Sequence, residues 1–254
     1  MYQTKAKLVL FFNEMLNELD KFKRNTYDEI FFEALKKNDS LLKDLTDLIE
    51  GTPEEEKDAI IEEMAFVLPN YVKPIIANLD KKQRNAQEMN YNLNMAVYII
   101  PVLTYTKNSS LEKLAHRTVE LWNEKKVTSL TLKYSTYAEI DRGYKKKLCY
   151  ITTAVCQHQD KPDNCYELTA LRDYRDSYLM QTEKGREIVN EYYNIAPGLV
   201  MMMDMQNDAG QIYQNIYKEY LIPCIQHIEN ERNEECCELY MQMVNNLKEK
   251  YLYS

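Results

Sequence analysis

The chain of 254 residues is 45% hydrophobic and 28% charged, with a formal net charge of -8. That length buries a core as one large domain or two modest ones, and the negative balance repels phosphate backbones and anionic membrane surfaces, which disfavours nucleic acid as a partner. Only 5 Gly and 7 Pro leave few turns for the length, so the expected fold is mainly α, a multi-helix bundle with at most a short strand or hairpin near residues 127-148.

From Tyr2 to about Lys23, apolar residues at Leu8, Phe11, Phe12, Met15, Leu16, Leu19 and Phe22 follow the three-and-four spacing of a one-sided helix. The run Leu8 to Phe12 is cut short by Asn13 and Glu14 and has no small-residue cleavage site after it, so it reads as an amphipathic helix rather than a secretory signal. No stretch reaches the roughly eighteen apolar residues that crossing a bilayer requires, so no membrane span is expected. Helices follow at Tyr27 to Lys37 and Leu41 to Ile49, the second stopped by Gly51. Thr52 as cap, Pro53 at the first helical position and Glu55 as its capping-box partner start another, expected to run to about Leu68. Pro69 and Pro74 enclose a short segment, and Asp80 to Thr104 reads as a long helix that Pro101 kinks or breaks. Ser109 as cap, with Glu112 three residues on, starts a helix through Leu114, Leu121 and the only tryptophan, Trp122.

Alternation of β-branched or apolar with polar residues between Lys126 and Lys133 favours a strand or hairpin, and Gly143 is the main punctuation of the chain. Lys145, Lys146 and Lys147 read as a solvated face. Helices resume at Cys165 to Met180, Glu183 to Tyr193, Gln211 to Asn230 and Glu234 to Tyr251, with Pro197 and Gly198 separating the middle pair. The expected organisation is an N-terminal helical bundle, 1-126, and a helical module, 127-254, with one continuous domain as the alternative. No internal repeat has a convincing period.

Cys149-Tyr150-Ile151-Thr152-Thr153-Ala154, Leu171-Arg172-Asp173-Tyr174-Arg175-Asp176, Gly185-Arg186, Tyr192-Tyr193 and Pro197 occur in that order. This set resembles the CFI-box domain, whose members read Cys-Phe-Ile-Ala-Thr-Ala, Leu-Arg-x-Phe-Arg-Asp, Gly-Arg, and Tyr-Tyr ahead of Ser-Pro. Tyr150, Thr152, Tyr174 and Ala196 depart from that pattern. The resemblance covers Cys149 to Gly198, with a looser likeness from about Ser135 onward to uncharacterised proteins of anaerobic Firmicutes. It implies a bacterial domain joined to varied partners and supplies no reaction. Family members usually end at this domain, whereas here the chain continues to Ser254.

Six dilute cysteines without a repeated framework are expected as free thiols or ligands in a reducing cytoplasm. Arg172, Asp173, Arg175 and Asp176 lie within two helical turns, where the 172/176 and 172/175 spacings favour a structural ion-pair network over an anion site. Cys149, Cys156, His158 and Cys165, with Cys224 and His227 on a later helix, offer soft ligands for zinc or iron, but without a CxxC knuckle they read first as packing residues. Cys149 is the candidate thiol nucleophile, with Lys145 to Lys147 favouring thiolate and His158 or His116 as base. Cys236 and Cys237 point to different faces of their helix. Met201, Met202, Met203 and Met205 admit a copper reading but suit core filling better. The 21 tyrosines also suit a binding surface. No phosphate loop, GxSxG elbow or HExxH motif is present, so the reading leans away from an enzyme and toward a protein-interaction or regulatory module; the alternative is a metal or thiol-redox protein centred on Cys149. Oligomeric state is left open.

Overall fold

The computed structural model describes residues 1–145 and 149–251, without the side chains of Lys82 and Lys145. It is mainly helical, and no strand occurs among the described residues. The chain divides into two compact units, Met1–Arg142 and Gly143–Ser254. No helix among the described residues is long and apolar enough to cross a membrane.

The first unit contains α1 (Tyr2–Leu16), α2 (Tyr27–Lys37), α3 (Asp39–Glu50), α4 (Glu54–Ala65), α5 (Val67–Ala77), α6 (Lys81–Asn94), α7 (Ile100–Thr104) and α8 (Ser109–Glu124). The unit boundary falls within α9 (Tyr137–Lys145). Helix α1 buries Leu8, Phe11, Phe12 and Met15 against α3, α5 and α6, while α8 packs on α3, α4, α5 and α7 around buried Trp122. Each such large apolar side chain contributes about 1.5 to 3 kcal/mol on burial.

Several helix ends differ from the sequence expectation. The α1 helix stops at Leu16, and the apolar spacing continues only as a 3-10 turn, Leu19–Lys21. No capping box forms at Thr52, whose hydroxyl instead donates to Leu48 O at 2.7 Å, so α4 starts from Pro53. The cap of α8 is Asn108 rather than Ser109: its side chain accepts from the Ser110 and Leu111 amides at 3.0 and 3.1 Å. Pro74 lies inside α5 instead of bounding a separate segment.

Pro101 neither breaks nor sharply ends its helix. The turn before it, Met95–Ile99, widens to π-helical spacing. Proline has no amide hydrogen for the carbonyl four residues back, that of Val97. That carbonyl instead accepts from the buried Tyr27 hydroxyl at 2.9 Å, and the neighbouring Ala96 carbonyl accepts from Ser135 at 2.5 Å. The same device recurs in the second unit: a π turn, Tyr217–Leu221, precedes Ile222-Pro223, and there the carbonyl four residues back belongs to exposed Glu219.

The strand expected around Lys126–Lys133 is absent. Its alternation is real, with Val127, Thr128 and Leu132 buried, but side chains take the place of a partner strand. Asn123 both donates to Leu132 O and accepts from Leu132 N, each at 2.9 Å, and the buried carboxylate of Glu88 accepts from Ser129 N at 3.0 Å. Trp122 and Thr128 both donate to buried Asn92, at 2.8 and 2.9 Å. These contacts tie the segment to the first unit.

The second unit contains α10 (Tyr150–His158), α11 (Tyr166–Ser177), α12 (Glu183–Asp204), α13 (Ala209–Ile216), α14 (Ile222–Glu229) and α15 (Asn233–Tyr251). Helix α10 is central, packing on α11, α12 and α13, while α15 packs on α12 and α14. The expected break at Pro197-Gly198 does not occur. Ile195, Ala196, Leu199, Met202 and Met203 are all buried around it, and this burial holds α12 together through the lost hydrogen bond.

Candidate functional site

Within the second unit, Cys149, Leu171, Arg175, Tyr192, Tyr193 and Tyr240 are among the residues lining a cavity of about 80 Å³. Cys149 enters from the residue preceding α10, Leu171 and Arg175 from one face of α11, the tyrosine pair from α12, and Tyr240 from α15. Leu179 adds a wall from the 3-10 turn that leads into α12. Gly185 seats that turn, since a Cβ there would lie 1.9 Å from the Leu179 carbonyl oxygen. Motif residues separated in sequence thus meet around one space.

Polar groups in the walls are bonded to one another. Tyr192 accepts from the Ile151 amide at 2.9 Å, and the Tyr240 hydroxyl donates to it at 3.2 Å. Burial pushes both phenols well above their ordinary range, so they stay neutral. Arg175 Nη1 donates to the Tyr193 hydroxyl at 2.8 Å and lies 3.8 Å from Cys149 Sγ. Burial also pushes the Cys149 thiol up, and the nearby Arg175 and Arg172 charges only partly oppose it. A protonated thiol with an arginine as its polar neighbour is a poor nucleophile.

Of the four residues expected as an ion-pair or anion site, Arg172 donates to the Asp163 carbonyl at 2.9 Å and Asp173 is exposed. The ion pair is Arg175 with its neighbour Asp176, two parallel bonds of 2.7 Å, in place of the expected 172/176 pairing. Tyr193 and Cys149 draw the Arg175 guanidinium inward, and its outer edge then meets the carboxylate beside it. With its fork occupied by Asp176, Arg175 adds almost no net charge to the pocket.

The six residues offered as metal ligands do not converge on one point. Cys156 and Cys165 come together beside Cys149 and Leu168. His158 instead stacks on Tyr213, with ring centroids 4.3 Å apart, and faces Asp204 at 3.7 Å. Cys224 pairs with Cys236, donating to its carbonyl at 3.8 Å; that bonded neighbour and burial push the Cys224 thiol up. His227 Nδ1 is buried without a hydrogen-bond partner among the described residues. Cys237 lines the pocket, on a different face from buried Cys236. His116 stacks on Tyr134 in the first unit, centroids 3.9 Å apart. Met202, Met203 and Met205 are buried and Met201 half-buried, as core filling requires. Lys146 and Lys147 lie outside the described residues.

Sequence reasoning missed the α15 wall of Tyr240, Met241 and Val244. Their helical spacing announced a buried face but not what that face looks onto. Compared with protein-family models, no family matches the chain, and no curated protein or solved structure matches it either.

Proposed function

We propose that the protein is a non-enzymatic binding module whose second unit receives an uncharged, mainly apolar group between α11, α12 and α15. The observation that supports this reading is the chemistry of the pocket wall: aliphatic residues, neutral phenols, a protonated thiol, and an arginine already neutralised by Asp176. Concave sites of this kind, apolar with a few converging polar groups, are the usual form of a ligand or side-chain recognition site. The apolar group is an anchor side chain of a protein partner, consistent with the small enclosed volume. The net charge of -8 argues against nucleic acid. Six free cysteines suit the reducing cytoplasm, and the CFI-box resemblance, resting on its motif residues, suits a bacterial module joined to varied partners. The test is titration of the intact protein with an uncharged solvatochromic dye. Saturable binding that Met241→Trp abolishes by filling the half-buried rim supports the reading. Binding unchanged by that substitution, or no saturable binding, refutes it.

A further inference from the structure

A second constellation lies at the other end of α10. Cys156 in its last turn is fully buried, and Cys165, half-buried, immediately precedes α11. The six-residue link between His158 and Cys165 is folded back tightly: the Gln159 and Lys161 amides both donate to Cys156 O, at 3.0 and 2.9 Å, and the Cys165 amide donates to Pro162 O at 2.9 Å. Asp160, with φ of 55°, makes the reversal. This knuckle places the two sulfur atoms and a carboxylate oxygen of Glu167, in the first turn of α11, all within 4.8 Å of one another.

We propose that Cys156, Cys165 and Glu167 form a binding site for a borderline-soft divalent cation of the zinc class. Two thiolates and a carboxylate are the donor set such ions select. Tetrahedral ligation at about 2.0 to 2.3 Å puts ligand atoms about 3.5 to 3.8 Å apart, so the three groups need close by only about 1 Å. Glu167 is already oriented by its surroundings: Lys161 and Tyr217 both donate to its Oε1, the Tyr217 bond being 2.8 Å. A carboxylate has a second oxygen to offer, and such outer partners are how ligating carboxylates are commonly held. Bound this way, two thiolates, Glu167 and the Lys161 ammonium sum to two negative charges, which one divalent ion balances. The fourth position falls to water, entering from the side of Cys165. His158 and Cys149, though close in sequence or packing, are not part of the donor set.

The test titrates anaerobically reduced, full-length protein with Co²⁺, whose thiolate charge-transfer and tetrahedral bands report sulfur ligation, followed by displacement with Zn²⁺. The expected result is one saturating ion per chain. Cys165→Ser and Glu167→Gln should each weaken it by at least the roughly 10- to 100-fold seen for lost outer-shell partners. Cys149→Ser leaves the bands intact, which separates this site from the pocket. The wild-type titration decides even if a variant misfolds. Absence of charge-transfer absorption at stoichiometric Co²⁺ overturns the proposal, as does binding that survives Cys156→Ser with Cys165→Ser or is lost with Cys149→Ser.

Discussion

Arg175 shows how one side chain joins several parts of the second unit. Its guanidinium spans Cys149, Tyr193 and Asp176, linking the start of α10 to α11 and α12. Arg175→Met keeps most of the apolar stem but removes these bonds, while Asp176 is exposed enough to regain water. A loss of about 1 to 2 kcal/mol in urea unfolding is expected, and no loss would make the contacts incidental. Glu167 makes a separate prediction. Burial raises its carboxyl, but hydrogen bonds from Lys161, from its own backbone and from Tyr217 prevail and bring it down to about 2. Because that lies below its unfolded range, the stability it supplies is present above about pH 5 and is lost as pH falls toward about 2. Glu167→Gln should therefore flatten this part of the acid limb when urea midpoints are compared across pH. Such residue-level roles were only half legible. Spacing marked Arg172 to Asp176 as an ionic cluster, but tertiary contacts with Tyr193 and Cys149, invisible in a linear pattern, decide which arginine turns inward.

At the scale of elements, Pro101 and Tyr27 form one unit of construction. Sequence marked Pro101 as a disturbance, and the structure shows it absorbed by a π turn whose stranded Val97 carbonyl is served by Tyr27. Tyr27→Phe keeps the ring, its contacts with Phe22, Phe31 and Tyr98, and the cavity shape, but leaves that carbonyl buried and unpaired. The expected cost is about 1 to 3 kcal/mol, read as a shift in denaturation midpoint; an unchanged midpoint would mean that water or a relaxed backbone serves the carbonyl. Helix existence was readable throughout, because apolar spacing records the buried face of each helix. Ends were less so: Asn108, Ser109 and Ser110 are three consecutive cap-forming residues, and only geometry selects Asn108. The supposed strand at Val127 failed for a related reason. Alternating burial records which side chains point inward, and Asn123, Asn92 and Glu88 satisfy a nonrepetitive backbone as well as a neighbouring strand does.

For the whole molecule, sparse glycine and proline with sustained helical periodicity identified a mainly α chain, and Gly143 marked the point where the second compact unit begins. The pocket was legible only in part. Cys149, Arg175 and the Tyr192-Tyr193 pair stood out as motif residues, but their convergence with Tyr240 and Met241 depends on how α15 returns across the unit. The central claim is that this pocket binds an uncharged apolar group. The most direct measurement is methyl NMR of the intact chain titrated with a small uncharged aromatic compound. The account predicts saturable shifts at Ile188, Ile195, Met241 and Val244, with the methyls of Ile49 and Leu68 in the first unit unmoved. Shifts spread evenly over both units, or none at the four pocket residues, would contradict it.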